Sequence, residues 1–291
     1  MLGETFALAS AIAWAISGTM LKMVAPRFGA VYIVAIRAVT SLLFALVVAA
    51  AVGVMDSLGT LAMFTVLLLI ASGSASIVGH VSFVKALSID QISRVFPTTN
   101  GLYIMFSVVG TIIISDESVT WRTVGGGLLV LGGIYVLSVR RQQEATRQTE
   151  GGFKLLALVL SAVTGLTWTI SVIVQNDIVE HTNLILANAI RTVVTVVISL
   201  TMVGLSANRG VQHGSRRDYT IMFGSGLAHG VSALLFMSAL KWNSPATVVV
   251  LNSTAPLFAV PMAFLLLHER MTGKLLLGTV ASVAGVALTL S

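Results

Sequence analysis

Apolar stretches dominate this chain, each close to the roughly 20 residues that a membrane-spanning helix needs. Short polar breaks separate them. The cuts fall at 3–24, 31–53, 61–86, 91–114, 119–139, 153–176, 183–205, 219–241, 246–267 and 272–290, which predicts ten spanning helices. The breaks hold residues that end helices: Pro26 and Gly29, Asp56 to Gly59, Asp116 and Glu117, Asn208 to Ser215, and Asn243 to Pro245.

The pattern is written twice. Trp14-Ala15-Ile16-Ser17 returns as Trp168-Thr169-Ile170-Ser171, and Ala35-Ile36-Arg37 returns as Ala189-Ile190-Arg191, both at a shift of 154. Gly73, Ala75, Phe83, Ala86 and Leu87 pair with Gly226, Ala228, Phe236, Ala239 and Leu240 at a shift of 153. Asn100, Glu117, Thr120, Gly126 and Gly133 pair with Asn252, Glu269, Thr272, Gly278 and Gly285 at a shift of 152. A shift that drifts by single residues marks one ancestral unit, duplicated, with small deletions. Each copy carries five spans. Five is odd, so the second copy enters the membrane from the opposite side and the repeats are inverted. The expected fold is an all-α integral membrane protein with ten transmembrane helices from two inverted five-helix repeats. The first repeat covers 1–140, a polar linker loop 141–152, and the second repeat 153–291.

Composition agrees with lipid as the solvent. Only 10% of the residues are charged, against 56% hydrophobic and a mean hydropathy of +0.96; a soluble domain carries about a quarter charged residues. There are no cysteines, which excludes disulfides, Fe–S clusters and thiolate zinc sites. The first apolar segment, 6–20, has no small-residue cleavage site after it and reads as a first helix, not a signal peptide. The net charge of +6 sits in loops and is a topology signal, not a nucleic-acid signal. Lys22, Arg27, Lys85, Arg94, Arg140, Arg141, Arg147, Lys154, Arg209, Arg216, Arg217, Arg270 and Lys274 fall on the side away from the termini. Only Arg122 and Lys241 fall on the terminal side, setting aside Arg37 and Arg191 inside spans. The positive-inside rule then places the 140–154 loop in the cytoplasm and both termini outside, in a plasma (bacterial inner) membrane.

Ionisable groups in a bilayer cost about 2.5–3.5 kcal/mol at its centre on insertion scales, so each needs a reason. Arg37 and Arg191 lie in the outer third of equivalent spans. They are either fixed cations lining a substrate path, attracting an anionic or zwitterionic compound, or arginines reaching to the interface or to helix-end carbonyls. His80 and His229 lie in the third helix of each copy without being counterparts: His80 maps to Ala233, and Ser76 to His229. His80 is either a proton carrier or a neutral ring bonded to a backbone carbonyl; His229 reads as the latter. Two isolated histidines make a poor metal site, and no cofactor motif is present.

Asn100 and Asn252 sit in the fourth helices beside Pro97, Gly101 and Pro256. Proline opens the turn before it, loosened turns at membrane depth need protein or water against them, and asparagine offers donors and acceptors there. These read as helix breaks at a cavity or a gate. Trp14 and Trp168 are mid-span, either cavity wall or core, and Phe83 and Phe236 extend that wall. Ser17 follows Trp14 on the same helix. The glycine-rich fifth helices read as tight packing between spans or as a dimer face.

In order, and twice, these motifs resemble the EamA-like ten-helix carriers of the drug/metabolite transporter superfamily. The resemblance rests on Ala13-Trp14-Ala15-Ile16-Ser17 and Thr167-Trp168-Thr169-Ile170-Ser171, on Arg37 and Arg191, and on Ser253-Thr254-Ala255-Pro256-Leu257-Phe258. It rests also on the turns His268-Glu269-Arg270-Met271-Thr272 and Asp116-Glu117-Ser118-Val119-Thr120. It implies a secondary carrier with a central cavity walled by both halves, and usually export of small metabolites. Two departures stand out. Family members usually have cytoplasmic termini, opposite to the charges here. Phe96-Pro97 stands where aromatic amino-acid exporters carry Trp-Pro.

The expected function is therefore secondary transport of small polar metabolites, amino-acid-like or otherwise zwitterionic or organic, by export or exchange. The alternative is a non-transporting membrane receptor or assembly factor. The expected partners are a small-molecule substrate and the lipid bilayer, for a monomer or homodimer that binds no nucleic acid. An intramembrane enzyme would need paired mid-span acids or a zinc helix, and neither is present.

Overall fold

The structure, a computed structural model, describes residues 1–55, 61–114, 120–145, 155–205, 214–267, 281, 284, 285 and 288. The described elements are all helical: α1 (Leu2–Val24), α2 (Ala30–Val52), α3 (Met63–Ile89), α4 (Ile92–Ile114), α5 (Trp121–Ala145), α6 (Leu155–His181), α7 (Leu184–Leu205), α8 (Arg216–Leu240), α9 (Pro245–Asn252) and α10 (Ala255–Leu267). Among the described residues, eight segments are long and apolar enough to cross a membrane: α1 to α4, α6 to α8, and Pro245–Leu267 counted as one. The α5 helix adds 25 residues. Most of the tenth expected span, 272–290, and the Glu117 and Glu269 turns lie outside the described residues. Leu43, Val47, Phe64, Leu67, Ile113 and Val197 are exposed on the outer surface, as lipid-facing residues would be.

Local chemistry explains the ends. Gly53 closes α2 in the left-handed conformation (φ 74°), a glycine C-cap. Ser215 and Asp218 form a reciprocal capping box at the start of α8. Ser244 caps α9, with Pro245 in its first turn, where the missing N–H costs nothing. The chain then breaks at Ser253 and Thr254. Pro256 has no N–H to give the carbonyl of Asn252, and Thr254 Oγ1 donates back to the Leu251 carbonyl at 2.7 Å. By contrast, α4 runs unbroken through Pro97 and Gly101. Pro97 leaves one carbonyl, that of residue 93 in the first turn, without its intrahelical donor, and the helix continues past it.

The two copies interlock through exchanged partners: α1 packs on α8, α3 on α6, and α2 on α7. Paired serines set the register. Ser17 Oγ donates to the Ser225 carbonyl at 2.9 Å, and Ser225 Oγ returns a bond to the Ser17 carbonyl at 3.1 Å. Ser72 and Ser171, their counterparts in the other copy, exchange bonds of 3.3 and 3.1 Å. Ser10 and Ser232 exchange bonds of 2.9 and 3.0 Å, and the counterpart of Ser10, Thr164, donates to the Gly79 carbonyl at 3.2 Å. Within each seam the register of one helix rises as the other falls, so α1 and α8 are antiparallel, as are α3 and α6. Lys22 Nζ, at the end of α1, donates to the carbonyls of Leu87 and Asp90 at the end of α3 (2.7 and 2.6 Å). Hence α1 and α3 run parallel, and α1 runs antiparallel to its own repeat counterpart α6.

Glycines let the backbones approach. A Cβ on Gly226 would lie 2.7 Å from the Arg37 carbonyl oxygen, and one on Gly73 would lie 3.1 Å from that of Arg191. A Cβ on Gly285 would lie 2.5 Å from the Gly126 carbonyl oxygen, so at this position the backbone packs directly on α5. A contrast on α8 tests this. A Cβ on Gly226 meets backbone and the Thr40 Cβ at 2.6 Å, whereas one on Gly224 meets only the flexible tip of Met20. In detergent, Gly226→Ala is expected to lower thermal stability by about 1–3 kcal/mol. Gly224→Ala is expected to be neutral or to gain up to about 1 kcal/mol of helix propensity. Equal melting of the two variants would contradict the packing.

Candidate functional site

Where the exchanged helix pairs cross, Trp14 and Trp168 meet edge to face, their ring centroids 5.3 Å apart. They are repeat counterparts, so the contact lies where the copies are nearest to symmetric. Beside them is a cavity of about 90 Å³, counted as the volume open to the centre of a water-sized sphere. One water takes about 10–15 Å³ on that measure, so the chamber has the size of a small metabolite. Its wall includes Trp14, His80, Trp168, Arg191, Phe236 and Asn252, six residues singled out by the sequence pattern. It also includes Ser76, Tyr103, Ser171, Gln175, His229, Ser232 and Ala233. A smaller annex of about 20 Å³ adjoins it and shares Ser76, His80, Arg191, His229 and Ala233. Arg37 lines the annex, together with Ser41 and Asn188.

The arginines are inside the protein, 2% and 6% exposed, and do not reach the interface. Each is the eighth residue of its helix, α2 or α7, roughly 10 Å from the start at 1.5 Å per residue. The packing of α2 on α7 and α8 covers them. Arg191 Nη1 donates to Ser76 Oγ and Nη2 to Asn188 Oδ1, both at 3.3 Å. The Arg37 guanidinium lies over the Trp14 ring at 5.2 Å, a cation–π contact. Its Nη1 and Nη2 are buried and have no hydrogen-bond partner among the described residues. The carboxylates whose side chains are described, Glu4, Asp90, Asp177, Glu180 and Asp218, lie at helix ends and line neither space.

His80 Nδ1 donates to the Ser76 carbonyl at 2.7 Å, which leaves Nε2 as the acceptor of a neutral ring. The His80 and His229 rings are 4.8 Å apart although the residues are not counterparts. His229 Nδ1 is buried with no hydrogen-bond partner among the described residues, so its expected bond to a carbonyl is absent. No group of three or more metal-binding side chains occurs among the described residues.

Three expected lining residues sit elsewhere. Ser17 is fully buried in the α1–α8 seam, where its hydroxyl is spent on Ser225. Phe83 is fully buried behind the chamber against Trp14, Phe96 and Trp168, with centroids 5.4, 5.3 and 5.5 Å away. Asn100 donates to the Phe96 carbonyl of its own helix at 2.8 Å, because α4 stays wound there. Asn252 stands at the break and reaches across to Ser10 Oγ at 2.9 Å. Pro97 and Pro256 are buried, and Gly101 faces α5, where a Cβ would lie 2.9 Å from Leu131 Cδ2. Of the residues the pattern missed, Ser171 carried a signal as the counterpart of Ser17. Gln175 and Tyr103 carried none.

The two faces of the bundle differ. From Trp168 to Gln175 and from His229 to Phe236, the lining climbs toward the C-terminal ends of α6 and α8, the face where α1 begins. On the opposite face the helix ends are clasped. Lys22 holds the end of α3, Arg94 pairs with Asp90 at 2.6 Å, and Arg27 pairs with Asp218 at 2.5 Å. The counterparts of Lys22, Leu87 and Asp90 are Asn176, Leu240 and Asn243. They line an open space of about 490 Å³ between the ends of α6 and α8.

No curated protein matches the chain. A crystal structure described only as that of a protein superposes with a TM-score of 0.77 at 12% identity, covering 98% of this chain and 95% of the other. That likeness shows a shared fold. The model of the EamA-like transporter family matches residues 1–139 and again 155–291. With eight apolar segments among the described residues long enough to span a membrane, the chain is a multi-pass membrane protein that belongs to the EamA-like transporter family, a family of transporters and not of enzymes.

Proposed function

We propose that the chain is a secondary carrier that moves a small polar metabolite through the central chamber by alternating access, working as an exporter or exchanger. One observation carries the reading. A metabolite-sized chamber lies between the two copies, lined toward one face and sealed toward the other by Phe83, Phe96 and the helix-end clasp. The antiparallel run of α1 and α6 supports an inverted relation between the copies. A carrier of that kind reaches its second state by exchanging the roles of the halves. Phe236 would then pack as Phe83 does now, closing the face where α1 begins, and Phe83 would come to line a chamber open to the other face. The charge bias supports cytoplasmic placement of the 140–154 loop, and the chamber then faces outward in this state.

Filling the chamber should stop transport. Ala233 lines both spaces and is only half-buried, so a larger side chain there projects into them. In proteoliposomes, Ala233→Trp is expected to lower metabolite counterflow at least about tenfold, the equivalent of about 1.4 kcal/mol. Val197→Trp, on the lipid-facing surface, should leave it unchanged. Equal rates in both variants would place the path elsewhere, and no saturable counterflow of any metabolite would favour a non-transporting role.

For a coupled proton His80 is the candidate: its ring lines the annex with both arginines and packs against Trp14, Trp168 and His229. Because two cations there oppose its protonation, it takes up a proton only when negative charge enters the annex. His80→Gln cannot change charge. Its transport is expected to lose dependence on pH between about 5 and 8, and an unchanged pH profile would remove His80 from coupling.

A further inference from the structure

We infer that the cargo of this chamber is a small organic acid in its carboxylate form, its head in the annex between Arg37 and Arg191 and its apolar or planar body against the tryptophans. The inference rests on the carrier reading and narrows it to one charge class.

Charge is the first argument. An arginine side chain stays protonated in a protein, and a buried charge needs a partner of opposite sign. Two such cations line the annex, and no described carboxylate lines it or the chamber beside it. The Arg37 guanidinium is 2% exposed and presents two unpartnered nitrogens, Nη1 and Nη2. Arg191 Nε is likewise buried without a partner. Guanidinium N–H groups are donors only and match a carboxylate in pairs. The space therefore supplies donors and positive charge, and the missing complement is an anion.

Size and lining divide the ligand. An annex of about 20 Å³ holds one or two water-sized groups, the scale of a carboxylate's oxygens. The larger chamber is walled by Trp14, Trp168, Tyr103 and Phe236, which suit a short apolar or flat body. An α-amino acid would bring its ammonium to the same end as its carboxylate. Of the acceptors lining the annex, Asn188 Oδ1 is already engaged by Arg191, and the others, His80 Nε2 and the hydroxyls, are neutral and give an ammonium no counter-charge. An amine would add a third positive charge.

Two matched series test this with the purified protein: 3-phenylpropionate, phenylalanine and phenethylamine; and butyrate, 2-aminobutyrate and butylamine. Tryptophan fluorescence and thermal shift report binding, and counterflow in proteoliposomes reports transport. Both carboxylates are expected to bind at least about tenfold more tightly than their zwitterions and about a hundredfold more tightly than their amines, from two like charges at close range. Arg37→Gln and Arg191→Gln should each weaken carboxylate binding at least about tenfold without lowering the melting temperature of the ligand-free protein. The charge series on the unmodified protein stands even where a variant fails to fold. Equal or better binding of a zwitterion or amine overturns the inference, as does a carboxylate affinity indifferent to both arginines. Saturation of the pair by chloride alone, with no carboxylate effect, overturns it too. Transport of phenylalanine or an amine but of neither carboxylate overturns the inference and leaves the carrier reading standing. Carboxylate binding without counterflow of either acid does the reverse.

Discussion

The exchanged pairing of first and third helices is the constraint on which the rest depends. Each copy packs its first helix on the third helix of the other, and the seams are pinned by hydroxyls that bond backbone carbonyls across the gap. Such bonds average only about 0.6 kcal/mol each between membrane helices. Their weight is in register, not strength. Fixing Ser17 on Ser225 and Ser72 on Ser171 brings Trp14 and Trp168 face to edge and sets Ser76, His80, His229 and Ala233 around one space. The glycines at 73 and 226 let the seams close to backbone contact. A bundle built from the same helices without the exchange would have no equivalent crossing.

Burial of the arginines follows from that crossing. Helices α2 and α7, packed on each other, carry Arg37 and Arg191 inward although both lie near helix ends. The cost of two cations at that depth, about 2.5–3.5 kcal/mol each at a bilayer centre, is met only in part by Ser76, Asn188 and the face of Trp14. Such uncompensated charge is a property of binding sites more than of structural cores. It gives the asymmetric positions their meaning: where one copy offers Ser76 to Arg191, the other offers His229 toward Arg37 in the same annex.

Much of this was legible in the chain itself. Hydropathy located the described helices to within about two turns, and the duplication named the counterparts Trp14 and Trp168, and Arg37 and Arg191, that the structure brings together. The two disagreements between copies, His80 against Ala233 and Ser76 against His229, all line the chamber. Other positions misled for physical reasons. Asn100 and Asn252 are counterparts, but Pro256 follows Asn252 by four residues and strips its carbonyl of a donor, whereas Pro97 precedes Asn100. Only the second helix breaks. Helix depth alone left the arginines between a substrate path and the interface, because nothing local records that α2 and α7 pack together. Gln175, one turn beyond Ser171 and bonded to it at 2.8 Å, is a lone amide near a helix end until the fold aims it inward.

Alternating access requires that Phe83 and Phe236, one buried and one lining the chamber, exchange these roles. The chain has no cysteine, so Phe83→Cys and Phe236→Cys can each be labelled without background. A membrane-impermeant maleimide applied from either face, with and without a transported compound, reads the exchange. Cys at 236 is expected to react from the face where α1 begins, and Cys at 83 only from the opposite face. Conditions that raise one reactivity should lower the other. Reaction of both from the same face, or no reaction at 83 while transport proceeds, would contradict the exchange.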